Sequence, residues 1–101
     1  MDLETLEDHI EDTVVILKAI ANEKRLQIIC ALAHKERCVG ELEEMVGLSQ
    51  SALSQHLARL RRDELVTTRR DAQTIYYSLD SKELTAIINA LCALFAKDDI
   101  L

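Results

Sequence analysis

Proline is absent from the 101 residues, and glycine occurs only twice, at Gly40 and Gly47. So few chain breakers leave little room for loops and favour helices. Also missing is any run near the roughly 20 apolar residues that a membrane span requires. The opening MDLETLEDHIEDT is acidic where a secretory signal is basic and then apolar, so the expectation is a soluble, cytoplasmic protein with no membrane partner. No nucleophile–base–orienter set, phosphate-binding glycine loop or paired-carboxylate site stands out, which speaks against an enzyme. What is present is a globular balance, 49% hydrophobic and 30% charged, at a length that suits one domain over residues 1–101.

The net charge of −6 speaks at first against a nucleic-acid partner, since phosphate binding needs positive charge. Its distribution matters more than its sum. Residues 1–12 hold six acids and no lysine or arginine, whereas residues 49–70 hold five arginines against two acids. The acidity lies elsewhere than the stretch that could touch DNA.

Hydrophobic spacing then gives the elements. Leu3, Leu6, Ile10, Thr13, Leu17 and Ile20 predict one amphipathic helix with Thr13 as its single polar step. Asn22 can cap a second helix with a stripe of Leu26, Ile29, Cys30 and Ala33, ending near His34 and Lys35. A short third helix runs from Val39 to Val46, and Gly47 falls where a left-handed helix end is expected. A fourth helix points Leu53, Leu57 and Leu60 inward. Two β-prone segments follow, Leu65–Thr68 and Thr74–Leu79, with Arg69–Gln73 between them as a hairpin tip. Asp80 or Ser81 caps a last helix built on Leu84, Ile87, Ile88, Leu91, Leu94 and Phe95. The expected fold is mainly α with a small β-hairpin, a winged helix-turn-helix of five helices and a two-stranded wing.

The text EMVGLSQSALSQHL supplies the apolar contact and the glycine that two steeply crossed helices need across a short turn. The fourth helix leaves Ser49, Gln50, Ser51, Ser54, Gln55 and Arg59 facing outward. Glutamine can pair with adenine in the major groove, and serine can contact phosphate or base. Arg61 and Arg62 would meet the backbone, and Arg69, Arg70 and Gln73 would reach an adjacent groove from the hairpin tip. His56 lies between Leu53 and Leu60 and reads as a hydrogen-bonded structural residue. The plainer alternative is a helical protein-interaction module whose polar face is merely solvated.

From Ala19 to Leu79 the chain, through NEKRLQIICAL and VGLSQSALSQHLARLRRDELVTTRRDAQTIYYSL, resembles the ArsR/SmtB family, most of all the branch that contains HlyU, BigR and NolR. The resemblance implies a homodimeric transcription factor, a repressor or anti-repressor, joined through its first and last helices. It would bind double-stranded operator DNA at half-sites one helical turn apart. Metal-sensing members carry a box of the form ELCVCDL. Here Cys38 matches one cysteine and Gly40 replaces the other, and the last helix holds no histidine for the second kind of metal site. Neither a metal nor a cofactor is expected.

Cys30 matches the second-helix cysteine of the members that respond to oxidants or reactive sulfur. Their partner position near the end of the last helix is Ala96 here, and Cys92 lies one turn earlier, about 6 Å along the axis. A disulfide tolerates Cα separations of about 4.4–6.8 Å. Two readings of Cys30 and Cys92 therefore stand: a thiol-sensing pair, or small core residues of a regulator with no effector of its own. Cys38, at a helix start, has no obvious resolving partner.

Overall fold

The computed structural model describes residues 3–99. Their order is α1 (Leu3–Asp8), α2 (Ile10–Ile20), α3 (Glu23–His34), β1 (Arg37–Cys38), α4 (Val39–Val46), α5 (Gln50–Arg62), β2 (Val66–Asp71), β3 (Thr74–Leu79) and α6 (Lys82–Asp99). This is the expected winged helix-turn-helix, with two amendments. The first expected helix is divided at His9, whose backbone (φ −118°, ψ 23°) leaves the helical region. Thr13, the polar step, sits at that division and donates both its N–H, at 2.9 Å, and its hydroxyl, at 2.7 Å, to the His9 carbonyl. Such hydroxyl back-bonding competes with the regular ladder and bends helices. The wing also gains a third strand. Short β1 pairs antiparallel with β3, giving the order β1-β3-β2.

One apolar cluster holds these elements together. Ile28, Ile29, Leu42, Leu53, Leu57, Leu60, Leu84 and Ile88 are its largest fully buried side chains. Ile16 and Ala19 bring α2 to it, and Val66, Tyr77 and Leu79 bring the wing. Two expected stripes are in a different phase. On α3 the buried residues are Ile28, Ile29, Ala31 and Leu32, while Cys30 is exposed and Leu26 and Ala33 are half-buried. On α1 and α2, Leu3, Leu6, Ile10 and Leu17 face outward. Asn22 and Ser81 cap as expected: Asn22 Oδ1 accepts from the Arg25 N–H at 3.0 Å, and Ser81 Oγ from the Leu84 N–H at 3.1 Å.

The carbonyl ends are held by arginine and lysine. Arg25 donates to the carbonyls of Ala19 and Lys18 at the end of α2, at 3.1 and 3.0 Å. Lys24 Nζ reaches the Val46 carbonyl at 2.9 Å, fixing the end of α4 against α3. Cations suit these negative helix ends. Among the described residues, no helix is long and apolar enough to cross a membrane.

Candidate nucleic-acid interface

The helix-turn-helix is α4, the turn 47–49 and α5. Gly47 adopts φ 73°, a left-handed conformation that costs most residues about 1–2 kcal/mol and glycine little, and its N–H closes on the Glu43 carbonyl at 2.9 Å. Ser49 then opens α5, its hydroxyl accepting from the Ala52 N–H at 3.2 Å. Leu53, Leu57 and Leu60 lie on the buried side of α5. The opposite side leaves Gln50, Ser51, Ser54, Gln55 and Arg59 in solvent, with Arg61 and Arg62 towards the end. Ser49 is exposed too, but its hydroxyl is already engaged as the cap.

The far end of α5 closes in a left-handed conformation without glycine. Glu64 stands at φ 61°, with the Leu65 N–H bonded to the Leu60 carbonyl and the Glu64 N–H to the Arg61 carbonyl, both at 3.0 Å. That is a Schellman closure, which most often uses glycine. It turns the chain directly from α5 into the wing. Arg59 carries an i,i+4 contact to Asp63 at 3.9 Å, leaving the rest of its guanidinium in water.

The His56 side chain is half-buried and makes no hydrogen bond among the described residues, which corrects the expectation for it. Desolvation, then the positive charges of Arg25 and Arg59, hold its pKa below the ordinary histidine value. It is a neutral packing residue facing two arginines.

The wing departs most from expectation. β2 runs on to Asp71, so Arg69 and Arg70 are strand residues and only Ala72 and Gln73 form the tip, with Ala72 at φ 58°. Adjacent strand residues point to opposite faces. Arg69 is not free: it donates to Glu36 from Nε and Nη2 and lies over the Tyr76 ring, 4.5 Å from the centroid. The Arg70 guanidinium donates to the nearby Ala72 carbonyl, at 3.0 Å through Nε. The partner Glu36 lies 33 residues from Arg69, and no local pattern announces it.

Of the cysteines, Cys30 on α3 and Cys92 on α6 are both exposed in the single chain, so neither is the small core residue considered above. The surrounding protein raises the Cys30 thiol pKa by desolvation, and Cys92 raises it further through charge. The helices that carry them, α3 and α6, pack against each other. Cys30 opens on a shallow groove shared with Gln27, His34 and Met45. Half-buried Cys38 begins α4, its N–H donating to Glu41 Oε1 at 3.0 Å. That bond and one from the Cys38 thiol hold the Glu41 carboxyl below its usual range. Among the described residues, no three His, Cys, Asp or Glu side chains gather to hold a metal ion.

Known proteins share this arrangement. Residues 22–68 match the family model for bacterial regulatory proteins of the arsR family. The chain is 54% identical over 97 residues to the transcriptional activator HlyU of Vibrio cholerae, covering 96% of this chain and 90% of that protein. It superposes on the structure of reduced HlyU from Vibrio cholerae with a TM-score of 0.84, at 55% identity, covering 92% and 98% of the two chains. On the transcriptional repressor BigR from Xylella fastidiosa the TM-score is 0.86, at 36% identity, with 94% and 97% covered. With this sequence identity, this coverage and a capped, polar-faced α5 beside a wing, the chain belongs to the ArsR family and is a DNA-binding transcriptional regulator.

Proposed function

We propose that the chain acts as a homodimer on double-stranded operator DNA and that its affinity falls or rises with the oxidation of Cys30 and Cys92. The carrying observation is the pairing of an exposed polar α5 face with an exposed apolar face at the two ends of the chain. Leu3 is 76% exposed and Phe95 69%, and Leu6, Ile10, Leu17 and Leu94 are also open to water. Large apolar side chains left in water in such numbers mark association surfaces. Dimerisation through α1, α2 and α6 would cover them and set two α5 helices roughly 34–36 Å apart, one turn of DNA.

On each half-site, Gln50, Ser51, Ser54 and Gln55 would face base edges, while Arg59, Arg61 and Arg62 meet phosphates and Gln73 at the wing tip reaches a neighbouring groove. HlyU carries an activator's name and BigR a repressor's, so the proposal concerns operator occupancy and not the sign of its effect. A purified chain that stays monomeric at micromolar concentration and shows no salt-sensitive binding to palindromic promoter DNA would overturn it.

The thiol arm rests on two solvent-open cysteines, Cys30 and Cys92, on the packed helices α3 and α6. With a peroxide as oxidant, the two thiols give up two protons and two electrons, a sulfur–sulfur bond forms, and the peroxide leaves as two waters. The link would tie α3 to the dimerisation helix α6 and shift the spacing of the two α5 helices. Mass spectrometry after peroxide or persulfide treatment should find an intramolecular Cys30–Cys92 link, with DNA affinity changed in parallel. Unchanged affinity and no link, or a Cys30→Ser, Cys92→Ser variant that responds like the natural chain, leaves a regulator without a sensor of its own.

A further inference from the structure

Glu36, Tyr76 and Arg69 form a row across the outer face of the wing. Cys38 pairs with Tyr76, and Tyr76 with Arg69, while Glu36 precedes Cys38 by two residues and so shares its face. Glu36 Oε2 accepts from Arg69 Nε at 2.9 Å, and Oε1 accepts from Nη2. The tyrosine ring covers one face of the guanidinium. The bonds to Arg69 also hold the Glu36 carboxyl below its usual range, so the pair is ionised at neutral pH. Paired in this way, Arg69 adds no net charge to the reading surface.

We propose that Glu36 sets DNA affinity by restraint: it clasps Arg69 on the wing, and a DNA phosphate must displace the carboxylate to engage that arginine. This rests on the DNA-binding reading above. Carboxylate and phosphate offer guanidinium the same two-oxygen geometry, so they compete for the same two nitrogens. The side chains are 54% and 37% exposed, so the exchange needs no unpacking of the core. Tyr76 stays beneath the guanidinium when the carboxylate leaves, and the arginine is then presented with its edge outward. A liberated Glu36 takes back a cation from solution, which offsets one released from the phosphate.

The test is anisotropy of a fluorescent random-sequence duplex, whose binding is carried by phosphates, measured across a salt series for the full chain. Glu36→Gln should bind several-fold more tightly at low salt. Its plot of log K against log salt should be steeper by about 0.9 for each wing that engages. Arg69→Gln should bind more weakly than the natural chain, and the double variant should lose the whole gain of Glu36→Gln. Thermal melts of each variant exclude a folding effect, and Glu36→Ala should repeat the gain if charge is its cause. A Glu36→Gln chain with unchanged or weaker binding and the same salt slope overturns the clasp. A natural chain with no salt-sensitive binding overturns the DNA-binding reading beneath it as well.

Discussion

The helix-turn-helix and the chain ends answer to different demands. From Val39 to Arg62 every junction has its partner: Glu41 on the Cys38 N–H, Lys24 on the Val46 carbonyl, Gly47 in its left-handed turn and Ser49 on Ala52. Leu42, Leu53, Leu57 and Leu60 are all at most 1% exposed. On α1, on one side of α2 and at the end of α6, Leu3, Leu6, Ile10, Leu17, Leu94 and Phe95 instead face water, and the helix divides at His9. The helix-turn-helix closes its junctions within one chain, while the ends leave apolar side chains in water. Closed junctions in the helix-turn-helix and open apolar surface at the ends are separate properties of separate segments.

This contrast can be broken at several depths. Leu53→Ala should destabilise the fold by about 2–5 kcal/mol in urea unfolding, because it opens a cavity at a fully buried contact between α4 and α5. Gly47→Ala should cost about 1–2 kcal/mol through the left-handed turn alone. An added Cβ there meets nothing within 4 Å, so no clash contributes. Glu64→Gly should act in the opposite sense and gain less than about 1 kcal/mol. Relief of a left-handed glutamate, roughly 1–2 kcal/mol, exceeds the entropic cost of glycine, roughly 0.5–1 kcal/mol.

A pH scan should show a smaller effect from His56. Its folded pKa is depressed, so the unfolded chain binds the proton first as pH falls below about 6.5. Stability contributed by neutral His56 is therefore present above that pH and declines as pH drops through the folded value. His56→Gln should flatten the slope in that window, and an NMR titration of the ring should give a midpoint below that of free histidine.

The smallest effect on the fold of a single chain should come from Leu17→Glu, within about 0.5 kcal/mol, because Leu17 is 50% exposed. Its effect on assembly should be large. The natural chain's melting temperature should climb with protein concentration, and that of Leu17→Glu should not. Sedimentation should then find the variant as a single chain.

Much of this was legible because its causes are local. Asn22, Gly47 and Ser49 announce caps and turns through their own side chains or lack of one, and α4 has the expected bounds Val39–Val46. Burial phase on α3 was not legible. Its text EKRLQIICALAH is apolar around more than one face, so the stripe through Leu26 and Cys30 fits the sequence as well as the buried one through Ile28 and Leu32. The two-residue β1 has no periodicity to detect and exists only because β3 offers an edge. Arg69 fails for the same reason: an arginine beside another arginine reads as a free cation until Glu36 is brought to it from 33 residues away.

The alternation of strand faces at Arg69 and Arg70 has a consequence for how such a regulator can drift. One arginine is balanced against an acid brought from outside its own hairpin, and the guanidinium of its neighbour donates to a carbonyl of its own turn. A change in one codon can therefore retune how strongly the protein holds any DNA, while a change in the next alters a contact at the wing's edge. Two consecutive positions work as independent dials, and a lineage can turn either one without resetting the other.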